Sequence, residues 1–212
     1  MANDDVIRAR GGLLPVSYPF GAYKKSYYRL TSGTTAADNF YIGQPVDLDS
    51  TGQATTVVAI TASNTTILGS IVGFLDINRE ALPSVMETTT AGAYLPGGNA
   101  AYVLVADDPG QVFVLQEDTG GSALTLSNIG NSATMTYRSS SGDTTTGYST
   151  IELDRSSAGT GTGGNLLIKG LAENMNSDGT RNAVGNYGKW EVIITNHRLS
   201  QTIAQFQGGA PV

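Results

Sequence analysis

Between residues 40 and 195 the chain runs as short apolar segments, each closed within a few residues by glycine, proline or a cluster of small polar residues. That spacing constrains the fold more than any other feature. A surface helix needs about ten or more residues of 3.6-period apolar spacing, whereas a strand needs only about four to eight, alternating or β-branched. Residues 54–60, behind Ser50-Thr51-Gly52, form a β-branched strand. Phe40-Tyr41-Ile42 and Val46-Asp47-Leu48 flank Gly43 and Pro45, the pattern of an edge or bulged strand. Residues 67–75 are apolar but interrupted by Gly69 and Gly73, which suits a bent strand better than a helix. Residues 100–106 and 111–116 bracket Asp107-Asp108-Pro109-Gly110, where Pro followed by Gly predicts a type II turn closing a β-hairpin. Residues 135–138 and 150–153 are strands around a Ser- and Thr-rich turn, while 122–135 suits a short helix or a loop. Residues 166–171 and 189–195 complete the set. Roughly eight to ten strands separated by turn chemistry predict an all-β body, a β-sandwich or jelly-roll-like barrel. Alternation turns Val103, Val105, Val112, Val114, Ile168, Trp190, Val192 and Ile194 inward.

Composition agrees. Only 14% of the 212 residues are charged, against a usual value of about 25%. Gly, Thr, Ser and Asn fill the gap, and all four are poor helix formers. A helical bundle and a coiled coil are excluded. No apolar run approaches the roughly 18 residues of a membrane helix. The opening MANDDVIRAR has no apolar stretch behind a basic start, so no secretory signal is expected. The absence of cysteine excludes disulfides, thiol catalysis and cysteine-ligated metals.

The net charge of −6 argues against nucleic acid as a partner. Residues 1–30 hold five cations (Arg8, Arg10, Lys24, Lys25 and Arg29) against Asp4 and Asp5, a balance of +3 that leaves −9 for the rest. The same segment is too rich in glycine and proline for a helix or a central strand, yet it carries Tyr18, Phe20, Tyr23, Tyr27 and Tyr28. Disordered linkers avoid such aromatics. The expected organisation is an extended N-terminal arm over 1–39, a β-body over 40–199 and a tail over 200–212. Arg8, Arg10, Tyr18, Phe20, Tyr23, Lys24, Lys25, Tyr27, Tyr28 and Arg29 are the expected docking residues of the arm.

Catalytic signals are weak. His197 is the single histidine, with no G-x-S-x-G nucleophile turn to accompany it. Asn174-Met175-Asn176-Ser177-Asp178-Gly179 echoes a calcium loop but places Gly185 where a bidentate glutamate belongs, and reads as an Asx-rich turn. Asp107-Asp108 sit side by side in a turn, where paired acid–base work is not available to them. The glycine-rich 159–164 stretch lacks the Gly-Lys-Ser/Thr ending of a phosphate loop and leads into a strand. No enzyme activity, catalytic residue, cofactor or metal is expected.

Several segments taken together are familiar. Tyr41-Ile42-Gly43-Gln44-Pro45-Val46 leads to Ile67-Leu68-Gly69-Ser70-Ile71-Val72-Gly73-Phe74, then Tyr94-Leu95-Pro96, Ala101-Tyr102-Val103-Leu104-Val105-Ala106-Asp107-Asp108-Pro109 and Val112-Phe113-Val114-Leu115-Gln116-Glu117-Asp118. Leu166-Leu167-Ile168-Lys169-Gly170-Leu171 and Lys189-Trp190-Glu191-Val192-Ile193-Ile194-Thr195-Asn196-His197 follow. Over about residues 40–197 this order resembles the capsid decoration or cement proteins of tailed bacteriophages, especially short-tailed ones. The resemblance implies an all-β body, a homo-oligomer with a trimer favoured, and the major capsid protein as partner. It also implies attachment to the outside of the virion after synthesis in the host bacterial cytoplasm, with no catalytic residues to carry over. The competing class is a head-fibre or tail-associated receptor- or glycan-binding module, which would expose aromatics as a sugar platform. Trp190, within the alternation of its strand, is expected in the core instead.

Overall fold

The computed structural model describes residues 11–16, 23–30, 40–49, 56–60, 66–82, 94–95, 102–143, 146–160, 163–174, 176 and 179–200. Thirteen strands form among them: β1 (Leu14–Pro15), β2 (Ser26–Leu30), β3 (Phe40–Tyr41), β4 (Pro45–Leu48), β5 (Thr56–Ala59), β6 (Gly69–Leu75), β7 (Tyr94–Leu95), β8 (Tyr102–Ala106), β9 (Val112–Gln116), β10 (Ser132–Gly142), β11 (Ser149–Gly159), β12 (Leu166–Leu171) and β13 (Lys189–Ile194). Residues 122–131 contribute only a 3-10 turn, Leu126–Asn128. The chain is all-β, as its segment spacing predicts.

The strands divide between two sheets and a small ribbon. β2, β5, β4, β6 and β8 close into a five-stranded barrel in that order, with β2 and β5 parallel and the other pairs antiparallel. β1, β9, β13, β12, β10 and β11 form an open antiparallel sheet, and β3 pairs with β7. The bend expected in β6 is present as a register shift against β8 between Ile71 and Gly73. Barrel closure leaves those five strands no free edge for unwanted pairing.

Each sheet has its own core. Val46, Val57, Leu68, Ile71, Phe74, Val103 and Val105 fill the barrel. Phe113, Leu115, Leu153, Leu166, Ile168, Trp190 and Val192 cover the open sheet, and Ile60, Ile67 and Ala106 join this second cluster from the barrel side. Of the expected core residues, Val103, Val105, Val112, Ile168, Trp190, Val192 and Ile194 are buried. Val114 is only half-buried, and Phe113 and Leu115 take the inward places on β9. Alternation in VFVL fixes which residues share a face, but with apolar residues on both faces it does not say which face is inside.

The hairpin expected across 107–111 is absent. β8 pairs with β2 and β6 in the barrel, whereas β9 pairs with β1 and β13 in the open sheet. The turn instead carries the chain from one sheet to the other. Gln111 N–H still donates to the Asp108 carbonyl at 2.9 Å, and Gly110 N–H to Asp108 Oδ1 at 2.8 Å. Gly110 lacks the positive φ that a type II turn requires. The Asx bond to Asp108 sets this turn, so the expected left-handed glycine is not needed.

The boundary expected at residue 39 is crossed twice. Leu13 is fully buried in the open-sheet core, and β2 is a barrel strand. Gly12 and Gly43, both at positive φ, let two backbones touch, and Leu13 N–H donates to the Gly43 carbonyl at 2.8 Å. A Cβ on Gly12 would stand 2.5 Å from that carbonyl oxygen, so only glycine fits. At the other end, Ile67 N–H donates to the Asn196 carbonyl at 3.1 Å and Arg198 N–H to the Ile67 carbonyl at 2.9 Å. Arg198 then grips the Asp47 carboxylate of β4 through Nε at 2.8 Å and through its second nitrogen. These contacts pin the segment after β13 to the barrel.

Candidate functional site

The expected docking residues separate into three groups. Arg8, Arg10, Tyr18 and Phe20 lie outside the described residues. Tyr23 and Tyr28 turn toward the body. Tyr23 packs against the open-sheet core, and Tyr28 donates its hydroxyl to Asp107 Oδ2 at 2.6 Å. Burial, reinforced by that bond to a carboxylate, pushes the Tyr28 phenol well above its ordinary range, so it stays a neutral donor. Lys24, Lys25, Tyr27 and Arg29 are exposed.

Period-two alternation explains that division. Tyr27 and Arg29 share the outward side of β2, while Tyr28 and Leu30 point inward. In the β2–β8 ladder Tyr27 stands opposite Leu104 and Arg29 opposite Tyr102, so Tyr102 is a diagonal neighbour of Tyr27 on the same face. The two tyrosine rings meet edge to face at 6.1 Å and 87°.

A third element completes the patch. After β6 the chain turns at Asp76, whose Oδ1 accepts the backbone N–H groups of Asn78 and Glu80, each at 2.8 Å. Asp76 N–H donates to the Glu80 carbonyl at 3.0 Å, and Arg79 N–H to the Asp76 carbonyl at 3.1 Å. The loop holds Arg79 at a φ of 66° and leaves Ile77 78% exposed at its tip. The Arg79 guanidinium lies 4.4 Å from the Tyr27 ring centroid and 5.4 Å from that of Tyr102, and Nη1 donates to the Tyr27 hydroxyl at 3.1 Å. Ile77, Arg79 and Tyr102 are not among the expected docking residues. Their signal in sequence is faint: an isolated isoleucine and an arginine inside an Asp-x-Asn turn.

Arg79 thus touches both tyrosines and Arg29 pairs with Tyr102, while Lys24 and Lys25 are exposed just before β2, with Asp76 and Glu80 as the acidic residues of the loop. Asp76 is occupied by its own loop. A basic face of this kind on a chain of net charge −6 is set up to attract an acidic surface. Tyr and Arg are also the residue types that most often dominate protein–protein contacts.

The other sequence candidates have structural partners. His197 is buried; its Nδ1 accepts the Leu199 N–H at 3.1 Å, and its Nε2 has no hydrogen-bond partner among the described residues. Burial lowers the His197 pKa, opposed by Asp107, Asp108, Asp47 and the Leu68 main chain. The Ser200 hydroxyl donates to the His197 carbonyl at 2.9 Å, not to the imidazole. Asp107 is buried against Tyr28, and Asp108 caps the sheet-to-sheet turn. Asn176 ties its own turn through the Thr180 carbonyl at 2.7 Å. No cluster of three potential metal-ligating residues forms among the described residues. A groove of about 50 Å³ beside Arg138 and Glu152 is far smaller than the roughly 300–1,000 Å³ of small-molecule sites. No helix among the described residues is long and apolar enough to cross a membrane.

Comparison with protein-family models, with curated proteins and with solved structures gives no match to this chain.

Proposed function

We propose that this chain is a structural virion protein, a capsid decoration or cement protein that docks on the outside of a tailed-phage head. The observation that carries the reading is the outward face of β2, where Tyr27 and Arg29 stand exposed beside Tyr102 and Arg79, with Lys24 and Lys25 exposed just before the strand. It presents protein-contact residues on closed β-architecture, in a chain whose segment order resembles that family. The major capsid protein is the partner, and a trimer is the favoured assembly. A subunit that binds only assembled capsomers stabilises the head by mass action, without chemistry of its own.

A sugar platform fits the same patch less well. One face of Tyr27 is covered by the Arg79 guanidinium, and Trp190, the single tryptophan, is wholly buried. The test is co-sedimentation of purified protein with heads that lack it. Saturable binding to heads, and none to host cells or their polysaccharide, is expected. Binding to cells or polysaccharide alone overturns the proposal.

A further inference from the structure

The loop after β6 holds Arg79 in an arrangement that neither strand chemistry nor core packing demands. Its φ of 66° lies in the left-handed region, which a non-glycine residue adopts only against a steric penalty. The loop around it is fixed by the Asp76 carboxylate and main chain, so the guanidinium is presented in one place. Stacking on Tyr27 and the bond to the Tyr27 hydroxyl use one face and Nη1. Nε and Nη2 have no hydrogen-bond partner among the described residues. A stacked guanidinium keeps its in-plane donors, and that fork matches a carboxylate in two parallel bonds. Ile77, 78% exposed, stands two residues away on the same loop.

We infer that Arg79, seated on Tyr27 and Tyr102, is a preformed receptor for a carboxylate side chain of a protein partner, with Ile77 contacting an adjacent apolar residue of the same segment. The occupant is an acidic protein segment. Charge complementarity selects it: Arg29 stands on the same outward face of β2 as Tyr27, and the exposed Lys24 and Lys25 just before the strand add positive charge in an otherwise acidic chain. This deepens the docking proposal and rests on it for the identity of the partner, though the chemistry of the site is independent of that identity.

The test uses the full-length protein and four variants. Arg79→Asn keeps a residue type that tolerates positive φ, so the loop is retained while the fork is lost. Arg79→Lys keeps the charge but not the planar fork. Ile77→Ser removes the apolar tip, and Tyr27→Ala removes the stacking ring. Binding is measured to heads lacking the protein and, by calorimetry, to a short peptide of Glu and Leu against the same peptide with Gln for Glu. Arg79→Asn should weaken both interactions about 30-fold, the scale of a protein-interface hot spot. Arg79→Lys should recover no more than a few-fold of that loss. Ile77→Ser should cost about tenfold, and the Gln peptide should not bind. Arg79-dependent binding of the Glu peptide without binding to heads would uphold the carboxylate site and overturn the virion reading. Head binding that Arg79→Asn leaves within twofold would overturn the site and leave the virion reading standing. Binding of a neutral polysaccharide but not the peptide, lost in Tyr27→Ala, would assign the patch to sugar stacking and overturn it as well.

Discussion

Trp190 Nε1 donates to Glu117 Oε2 at 3.1 Å, and both side chains are completely shielded from water. Glu117 also accepts the Leu124 N–H at 3.1 Å, and its other oxygen faces Arg155 Nη1 at 3.4 Å. Arg155 in turn donates to the carbonyls of Thr119, Gly120 and Gly121 and to Asn186 Oδ1. The pair ties the loop after β9 to β11 and β13. Burial pushes the Glu117 carboxyl upward while these three donors hold it toward the ionised form.

Removing members of that network should therefore cost more than their apolar area alone. Trp190→Ala should lose about 3–5 kcal/mol, from the emptied volume. Trp190→Phe keeps most of the ring but removes one of the two N–H donors to the buried Glu117 Oε2, leaving Leu124 N–H, and should lose about 1–3 kcal/mol. Arg155→Met leaves a buried carboxylate without its cation, and should lose about 3–5 kcal/mol. Urea unfolding reads all three; a loss below about 1 kcal/mol in Trp190→Ala would contradict the observed packing.

The leader is expected to matter for folding. Leu13→Ala should cost about 2–5 kcal/mol, as for other buried leucines. Deleting residues 2–30 removes Leu13 from the core and β2 from the barrel, leaving β5 and β8 with open edges. A truncated protein that melts like the full chain would show that β2 is dispensable.

Stability should depend on pH through His197. Its folded pKa lies below the ordinary 6.5 because burial disfavours the imidazolium. Between that lowered value and 6.5 the unfolded chain binds more protons than the folded one. The contribution is thus fully present above about pH 6.5 and is lost as the pH falls toward the folded pKa. Urea midpoints taken from pH 8 down to pH 5 should fall more steeply for the natural protein than for His197→Gln. Equal slopes would remove His197 as the cause.

The exposed cations should act mainly on encounter. Replacing Lys24, Lys25 and Arg29 together should slow association with heads and flatten its salt dependence, with little change in residence time. Surface plasmon resonance at several salt concentrations separates the two rates. A large rise in dissociation rate alone would place these residues at a desolvated contact instead.

Much of the fold was legible because its signals are local. Short β-branched runs ended by turn residues announce strands wherever they occur, and β12 and β13 fall almost where 166–171 and 189–195 place them. Partner choice is not local. Asp108-Pro109-Gly110 marks a reversal, but barrel closure decides that β8 takes β2 and β6 and releases β9 to the other sheet. The leader shows the same limit. Its glycines and prolines suggest an arm, yet Gly12 serves a backbone crossing with Gly43 that only the folded chain reveals. At the candidate site, Lys24, Lys25, Tyr27 and Arg29 are exposed. Tyr28 sits one residue along and faces the opposite way, because strand alternation overrides residue type. Arg79 was invisible, since its place over Tyr27 joins segments 52 residues apart.

The most direct measurement is a cryo-electron microscopy reconstruction of phage heads lacking the protein, after saturation with it. Added density is expected on the outer capsid surface, with the outward side at β2 and the Ile77–Arg79 loop turned toward the major capsid protein. Heads without added density, or with that face turned to solvent, would contradict the account.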